Sequence, residues 1–485
     1  MELSGRRMIM SDARPEELLD PVRMATVLNK AMSVHRENKI EIDYLMNYYK
    51  GPGQPINQKV KEVRSEINNK IVLNHAQMIT RDINGYFLGS PIQYVQNGKS
   101  NKQELVDELN RNVKYEDKAS VDSELGTYQS ITGTAYRIIY TDGEFADDVP
   151  FEDRSLDPAT TFIVYENSIS QRPLLASTYY DVYDADEKLI GTRHQVYTTL
   201  GNCTIMSDNE GIISPEAIPE LTRYDVGGLP IIEYPNNMFR VGDWELVIML
   251  MDAINSLQSG RLDDLDQIVQ SLLVFFNAEI DAETYDEMRA KGVVMLKNTS
   301  NAPTDIKSIS NALDQAGIGA FAQELEELLY SLVGIPSRNN RGGGGGDTGQ
   351  AVELRDGWAN LEIIARIKEG VFKKSEKRTL KIILSAFNLN NSEKLDMRDI
   401  DIKFSRNKSN NLTTKTQGFM NLIGTKTLSP TDCLTVVDLV SDETEFMARG
   451  EAFWGSEFAG KTETVQEPEV EDIAQETENP TPEPI

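Results

Sequence analysis

Histidine and cysteine are scarce in this chain, with three and two residues among 485. Cys203 and Cys433 stand too far apart in sequence for a metal-ligand spacing and supply no disulfide framework, so both read as buried small apolar residues. His35 lies in a helical pattern, His75 at a helix start and His194 in a strand-like run, all positions of packing rather than of a catalytic base. No H-x-x-E-H, G-x-S-x-G or D-x-D-x-D-G stretch is present. Adjacent acids such as Asp263-Asp264 and Glu326-Glu327 point in different directions on a helix, the geometry of solvation rather than of acid–base work. The N-terminus has no apolar core of signal-peptide length, and no apolar run approaches the roughly 18 residues of a membrane span. A cytosol-like setting without membrane contact is expected, which leaves triplets such as Asn298-Thr299-Ser300 without meaning as glycosylation sites. Nothing in the composition asks for a metal or a cofactor.

What is present is acid. Lys and Arg number 49 against 77 Asp and Glu, a formal charge of −28, which argues against a protein that grips nucleic acid through a basic face. The length leaves room for several domains. Helical spacing runs from Pro21 to Tyr49 (Met24, Val27, Leu28, Met32) and stops at Gly51-Pro52-Gly53; Asn74 to Leu88 reads as a second helix. Between Thr127 and Arg240 the texture changes to short β-rich runs, TAYRIIYTD, TTFIVYEN and PLLASTYYDVYD. The body is therefore expected to be α+β.

From Asp243 the pattern predicts a long rod without proline up to Phe276, with Trp244, Val247, Met251, Ile254, Leu257, Leu265, Ile268 and Leu272 on its stripe and Asp252, Asp263, Asp264 and Asp266 off it. About thirty residues at 1.5 Å each make roughly 45 Å. A second rod spans Asn311 to Val333, with Leu313, Phe321, Leu325, Leu328 and Leu332 on its face, and ends at Gly334-Ile335-Pro336. Residues 277–307 form a compact insert between the rods, and a third long helix runs from Gln350 to Phe387 with Leu354, Trp358, Leu361, Ala365 and Phe372 on its stripe. Ile363 to Lys381 carry seven basic residues (Arg366, Lys368, Lys373, Lys374, Lys377, Arg378, Lys381) and two acidic ones (Glu369, Glu376), which makes either a solvated or intersubunit ion-pair face or a surface toward DNA. A strand, DIDIKFSR, follows; helices occupy the 410–455 region, where Ser429-Pro430 supplies a cap and a first-turn proline. The tail after Gly460, with eight acids, one lysine and four prolines, reads as disordered.

Between the second and third rods stands RNNRGGGGGDTGQ, Arg338 to Gln350. A phosphate cradle would need Gly-Lys-Ser/Thr at its end, whereas Gly349 is followed by Gln350 and Ala351. The remaining reading is a compliant loop.

Taken together and in order, Tyr48-Tyr49-Lys50-Gly51, NNKIVLNHAQMITRDINGYFLGSPIQY (Asn68 to Tyr94), TYQSITGTAYRIIYTD, LPIIEYPNNMFRVGDWELVIMLMDAINSLQSGRLDDLDQ (Leu229 to Gln267) and DIDIKFSRN resemble the portal proteins of tailed double-stranded-DNA bacteriophages, in the branch typical of long non-contractile-tailed phages. The likeness spans roughly Tyr44 to Phe453; the glycine run is long for the family, and its Ser-Gly-x-Ala reads Thr348-Gly349-Gln350-Ala351. The resemblance implies a portal fold closed into a ring of twelve around a central channel. Its parts would be a flexible N-terminus (1–20), a wing (21–240), stem helix 1 (241–276), a clip (277–307), stem helix 2 (308–337), a tunnel loop (338–349), a long tunnel helix with a wing strand (350–409), crown helices (410–460) and a disordered acidic tail (461–485). It further implies a portal vertex in the virion, assembly in the host cytoplasm, duplex DNA in the channel, and as partners the terminase large subunit, a head-tail adaptor, the major capsid protein and scaffolding protein.

The implied site residues are Arg338, Asn339, Asn340, Arg341, Gly342, Gly343, Gly344, Gly345, Gly346, Asp347 and Thr348 in the channel loop, with Asp281, Glu283, Asp286 and Glu287 on the clip for the motor and adaptor. Asp263, Asp264, Glu324 and Glu327 are candidates for an acidic channel wall. Helices packed 8 to 10 Å apart in a ring of twelve leave a bore of about 25 Å, enough for a duplex of about 20 Å, whereas six would leave about 7 Å. A basic bore would hold DNA through counterion release; an acidic one lets it slide. A P-loop ATPase is disfavoured by the missing lysine, a sequence-specific DNA binder by the absent base-reading helix, and a coiled-coil protein by heptads that cover too little of the chain.

Overall fold

The computed structural model describes residues 5–62, 64–97, 102–141, 149–208, 210–224, 227–269, 272–276, 305–309, 315–336, 358–406, 412–425, 428–437, 446–447 and 449–450. It falls into two units, 1–409 and 410–485. In the first, helices α1 (Pro21–Lys50), α2 (His75–Phe87), α3 (Gln103–Tyr115) and α4 (Lys118–Thr132) precede the rods α5 (Ile248–Val269), α6 (Gln315–Val333) and α7 (Trp358–Asn390). Strands β1 (Ile9–Ser11), β2 (Gln93–Gln96), β3 (Thr134–Tyr140), β4 (Glu152–Leu156), β5 (Thr161–Glu166), β6 (Pro173–Tyr183), β7 (Leu189–Thr198), β8 (Asn202–Met206) and β9 (Ile231–Pro235) come before the first rod; β10 (Leu272–Phe276), β11 (Asp305–Ile309) and β12 (Ile400–Lys403) come after it.

The strands make open sheets. The largest has the order β1-β5-β6-β7-β8, with only the β1–β5 pair parallel. A three-stranded antiparallel sheet, β4-β3-β9, carries the strand TAYRIIY, which is buried up to Ile139 because both faces are covered, with Arg137 as its one charged residue. The pair β2–β12 ties the segment after α7 back to the strand after α2, and β10–β11 closes the ends of the 277–304 insert, which lies outside the described residues. Among the described residues no helix is long and apolar enough to cross a membrane.

Local chemistry explains the ends of the elements. The Asp20 carboxylate accepts from the Val22 N–H and Pro21 opens α1, whereas Gly51, at φ +100, closes it. Asn74 caps α2 by accepting from the Gln77 N–H at 3.2 Å. Gly133, at φ +76, ends α4 where a side chain would strike the Arg240 carbonyl. In the second unit α8 (Leu412–Gly424) precedes α9 (Pro430–Val437). The Ser429 hydroxyl accepts from the Asp432 N–H and the Asp432 carboxylate accepts from the Ser429 N–H, a reciprocal cap.

Four expectations change. From residue 5 onward the lead-in expected to be flexible packs on the body: β1 pairs with β5, and buried Arg6 donates to Glu245 at 2.6 Å and lies 3.1 Å from Glu41. The first rod is helical only to Val269, about 33 Å, because Leu272–Phe276, an apolar run rich in aromatics, is a strand. The second rod uses a different stripe: Ala322, Leu329 and Val333 are buried while Phe321, Leu328 and Leu332 are exposed. That helix is apolar on two sides, so periodicity could not choose between them. On the first rod, Leu265 is exposed and Asp263 is buried.

Candidate channel wall and assembly surfaces

The inner face of α5 is two stripes, one apolar and one polar. Trp244, Val247, Met251 and Ile254 join the main core, where the Trp244 ring stacks on Tyr48 at 5.5 Å between centroids and its Nε1–H donates to Thr80. Beside them Asp252, Asn255, Ser259, Asp263 and Asp266 recur at three- and four-residue steps, a helical stripe of short polar side chains. They meet a chain segment, roughly 54–73, that among the described residues pairs with no strand. Tyr48 Oη donates to Asp252 at 2.8 Å, and Asn255 Oδ1 accepts from the Leu73 N–H at 2.9 Å. Ser259 Oγ accepts from the Ile71 N–H at 2.9 Å, and Asp263 Oδ1 accepts from the Asn69 N–H at 2.7 Å. Asn69, Ile71 and Leu73, every second residue of an extended segment, thus donate to successive turns of the helix, which satisfies backbone groups that a sheet would otherwise take.

This ladder removes Asp263 from the candidate wall. It is 3% exposed, 2.7 Å from Lys59 and 3.6 Å from Lys61. Burial pushes its carboxyl up, but donation from Lys59 and from both Asn69 groups outweighs that and holds the carboxyl at about 2. Asp264 is half-buried, and Glu324 and Glu327 on α6 are exposed. The clip candidates Asp281, Glu283, Asp286 and Glu287, and the channel loop from Arg338 to Thr348, lie outside the described residues.

The rods also present apolar side chains outward. Leu246 and Met249, at the start of the first rod, are 85% and 88% exposed; Phe321, Leu328 and Leu332 make a stripe along α6; Ile363 and Ile367 do the same on α7. Apolar patches turned outward on all three rods are more than scattered surface residues. On α6 these are the residues that periodicity placed on the rod's face; on the other two rods the signal was a second set of i, i+3 and i, i+4 spacings.

The basic stretch on α7 divides by partner. Lys368 is buried 2.6 Å from Asp243, Lys373 lies 3.0 Å from Asp401, and Arg366 lies 2.8 Å from Glu362. Glu376 is fully buried, where its Oε1 accepts from Lys118 at 2.8 Å and Tyr94 at 2.6 Å and its Oε2 accepts from Arg137 at 3.0 Å and Tyr234 at 2.7 Å. Asp122 pairs with both Lys118 and Arg137, and Asp153 Oδ1 lies 3.2 Å from Arg137 Nε. Three buried carboxylates therefore face two cations. Burial raises the Asp153 carboxyl to about 7, despite the attraction of Arg137 and Lys118, while the two cations hold Glu376 low against the opposing effect of burial. The cluster bolts α7 to α4, β3 and β4.

The histidines are packed. Nε2–H of His35 donates to the Ala159 carbonyl at 3.2 Å, and burial lowers both His35 and His194 to about 4. His75 is buried at the start of α2, and burial lowers it as well.

The family model described as phage portal protein, SPP1 Gp6-like, matches residues 29–479. No curated protein sequence matches the chain at a significant level. Among solved structures, the neck of an empty GTA particle, computed with C6 symmetry, aligns at 14% identity and a TM-score of 0.38, covering 76% of this chain and 89% of that one. The family match takes in all three rods and α8 and α9 alike, and the chain accordingly belongs to the SPP1 Gp6-like phage portal proteins.

Proposed function

We propose that the chain closes into a ring of twelve at one vertex of a phage head and forms the passage for DNA during packaging and ejection. The observation that carries this reading is the family match from residue 29 to 479. The outward apolar patches on α5, α6 and α7 support it, because each would lie bare in a lone chain and each gains cover from a neighbouring copy. In this assignment α5 and α6 are the stem, residues 277–304 with the β10–β11 pair are the clip, and the open sheets and α1–α4 are the wing. Residues 338–349 are the tunnel loop, α7 is the tunnel helix, and α8 and α9 belong to the crown.

The ring is a conduit with no chemical step of its own. A terminase motor docks on the clip during packaging, with Asp281, Glu283, Asp286 and Glu287 in contact, and a head-tail adaptor follows; capsid and scaffolding proteins hold the rim. Asp264, Glu324 and Glu327 line the bore and repel phosphate, so that DNA slides, while Arg338, Asn339, Asn340 and Arg341 touch it in passing. Electron microscopy of the purified protein tests the assembly: end-on views should show a pierced ring with a bore of about 25 Å. A monomer at every concentration, or a plugged centre, refutes it. Reversing Glu324 and Glu327 to lysine should slow packaging, and an unaltered packaging rate removes the acidic wall from the reading.

A further inference from the structure

Once the intrachain pairs of α7 are subtracted, its basic stretch leaves a residue that the sequence could not isolate. Lys374, Lys377, Arg378 and Lys381 are exposed and follow at i, i+3, i+4 and i+7, a single face about 10 Å long. Among the described residues no carboxylate pairs with any of the four, although acids outnumber bases by 77 to 49 in the chain. The two acids of the same stretch are turned away: Glu376 lies in the buried cluster and Glu369 pairs with Arg406. The face is therefore purely cationic.

Its chemistry selects between two occupants. A protein partner would be met by aromatic or aliphatic anchors with Arg, and Lys is depleted at such interfaces. Here three of the four cations are lysines, and the nearest exposed large apolar residues on the helix are Ile367 and Leu389, about two turns away on either side. Compact ammonium charges on a polar, wet face suit phosphate oxygens, which need charge and tolerate water. We propose that Lys374, Lys377, Arg378 and Lys381 form a contact site for the phosphate backbone of duplex DNA, separate from the channel loop. The inference rests on the portal reading for the presence of DNA. It assigns to α7 a place where the moving duplex is held transiently, in contrast to the acidic rods.

The test uses full-length protein and a labelled duplex of about 30 base pairs, with affinity followed by fluorescence anisotropy across a salt series. Four phosphate contacts contribute a slope of about −3.6 in log K against log salt, so the site alone accounts for about a hundredfold loss between 50 and 200 mM salt. The variant Lys374→Gln/Lys377→Gln/Arg378→Gln/Lys381→Gln should lose that part of the slope. A second variant with the same charge change at scattered exposed positions, Arg14→Gln/Lys30→Gln/Lys50→Gln/Arg172→Gln, should keep it. Equal slopes in the two variants overturn the site, since net charge alone would then explain any change. So does loss of ring assembly in the first variant with unchanged DNA affinity, which would mark the face as a contact between copies. Ring images of the unsubstituted protein judge the portal reading separately: a ring without slope loss fails the site alone, and slope loss without any ring fails the portal reading alone.

Discussion

Glu376→Gln and Asp153→Asn each remove one negative charge from the same buried cluster, and the geometry requires opposite outcomes. Glu376 accepts from Lys118, Arg137, Tyr94 and Tyr234, so its charge is fully solvated by the protein. Neutralising it strips both cations of their best acceptor. Breaking a buried pair costs about 3 to 5 kcal/mol, and the lower end applies here because Asp153 then becomes the needed counterion. With an unfolding entropy of about 2.1 cal/mol/K per residue, 409 residues give about 0.9 kcal/mol/K, so a 3 kcal/mol loss lowers the melting temperature by about 3 to 4 °C.

Asp153 is the reverse case. Among the described residues its carboxylate oxygens accept no hydrogen bond, and the one cation within ion-pair distance is Arg137, already shared with Asp122 and Glu376, with Lys118 acting from farther off. A carboxyl raised from 3.8 to about 7 binds its proton more tightly folded than unfolded. Stability from this group is therefore intact below about pH 4 and falls as pH rises toward 7, by an order of 1 to 4 kcal/mol. Asp153→Asn removes that loss, so at pH 8 it should melt at or above the parent temperature, and at pH 4 it should match it. Melting curves at pH 4, 6 and 8 decide the matter. Should Asp153→Asn melt below Glu376→Gln at pH 8, the three-against-two reading of the cluster is wrong.

Asp263→Ala should free the 59–73 segment from α5: amide exchange at Asn69 should quicken by about tenfold, corresponding to 1.4 kcal/mol. Because the Asp263 carboxyl is depressed to about 2, its contribution is present above about pH 4 and disappears as pH falls toward 2, so the variant and parent should converge in acid. Gly133→Ala places a Cβ 2.0 Å from the Arg240 carbonyl oxygen at a φ of +76, and should cost more than about 2 kcal/mol; a melting temperature within 1 °C of the parent refutes the close approach. Phe372→Ala empties a site between Phe87, Tyr234 and Phe404, with centroids at 5.6, 4.7 and 5.9 Å, and should cost about 3 to 5 kcal/mol by denaturant titration.

The sequence exposed those features that depend on neighbours in the chain. Pro21 and Gly51 bracket α1, Asn74 caps α2 and Ser429 caps α9, because capping chemistry is settled within four residues. It did not expose features that depend on a partner 180 residues away. Asp252 and Asp263 read only as acids off the apolar stripe of a rod, and Asn255 and Ser259 between them were not singled out, since a polar stripe that faces water and one that faces an extended backbone have the same spacing. Phe321 and Ala322 lie on different faces of an apolar helix, and only the position of α5 decides which is inside. The same ambiguity hid the division of the basic stretch on α7: Lys368 and Lys374 read alike until Asp243 is found beside one of them and, among the described residues, no carboxylate paired with the other. Charge in this chain therefore has to be counted after pairing. Asp263, in the raw count, stands with the acids of the first rod, yet Lys59 and Lys61 have already neutralised it; among the described residues the charge left without an ion-pair partner includes Glu324 and Glu327 on α6 and the four cations on α7, and it is this remainder that the proposed acidic wall and phosphate contact draw on.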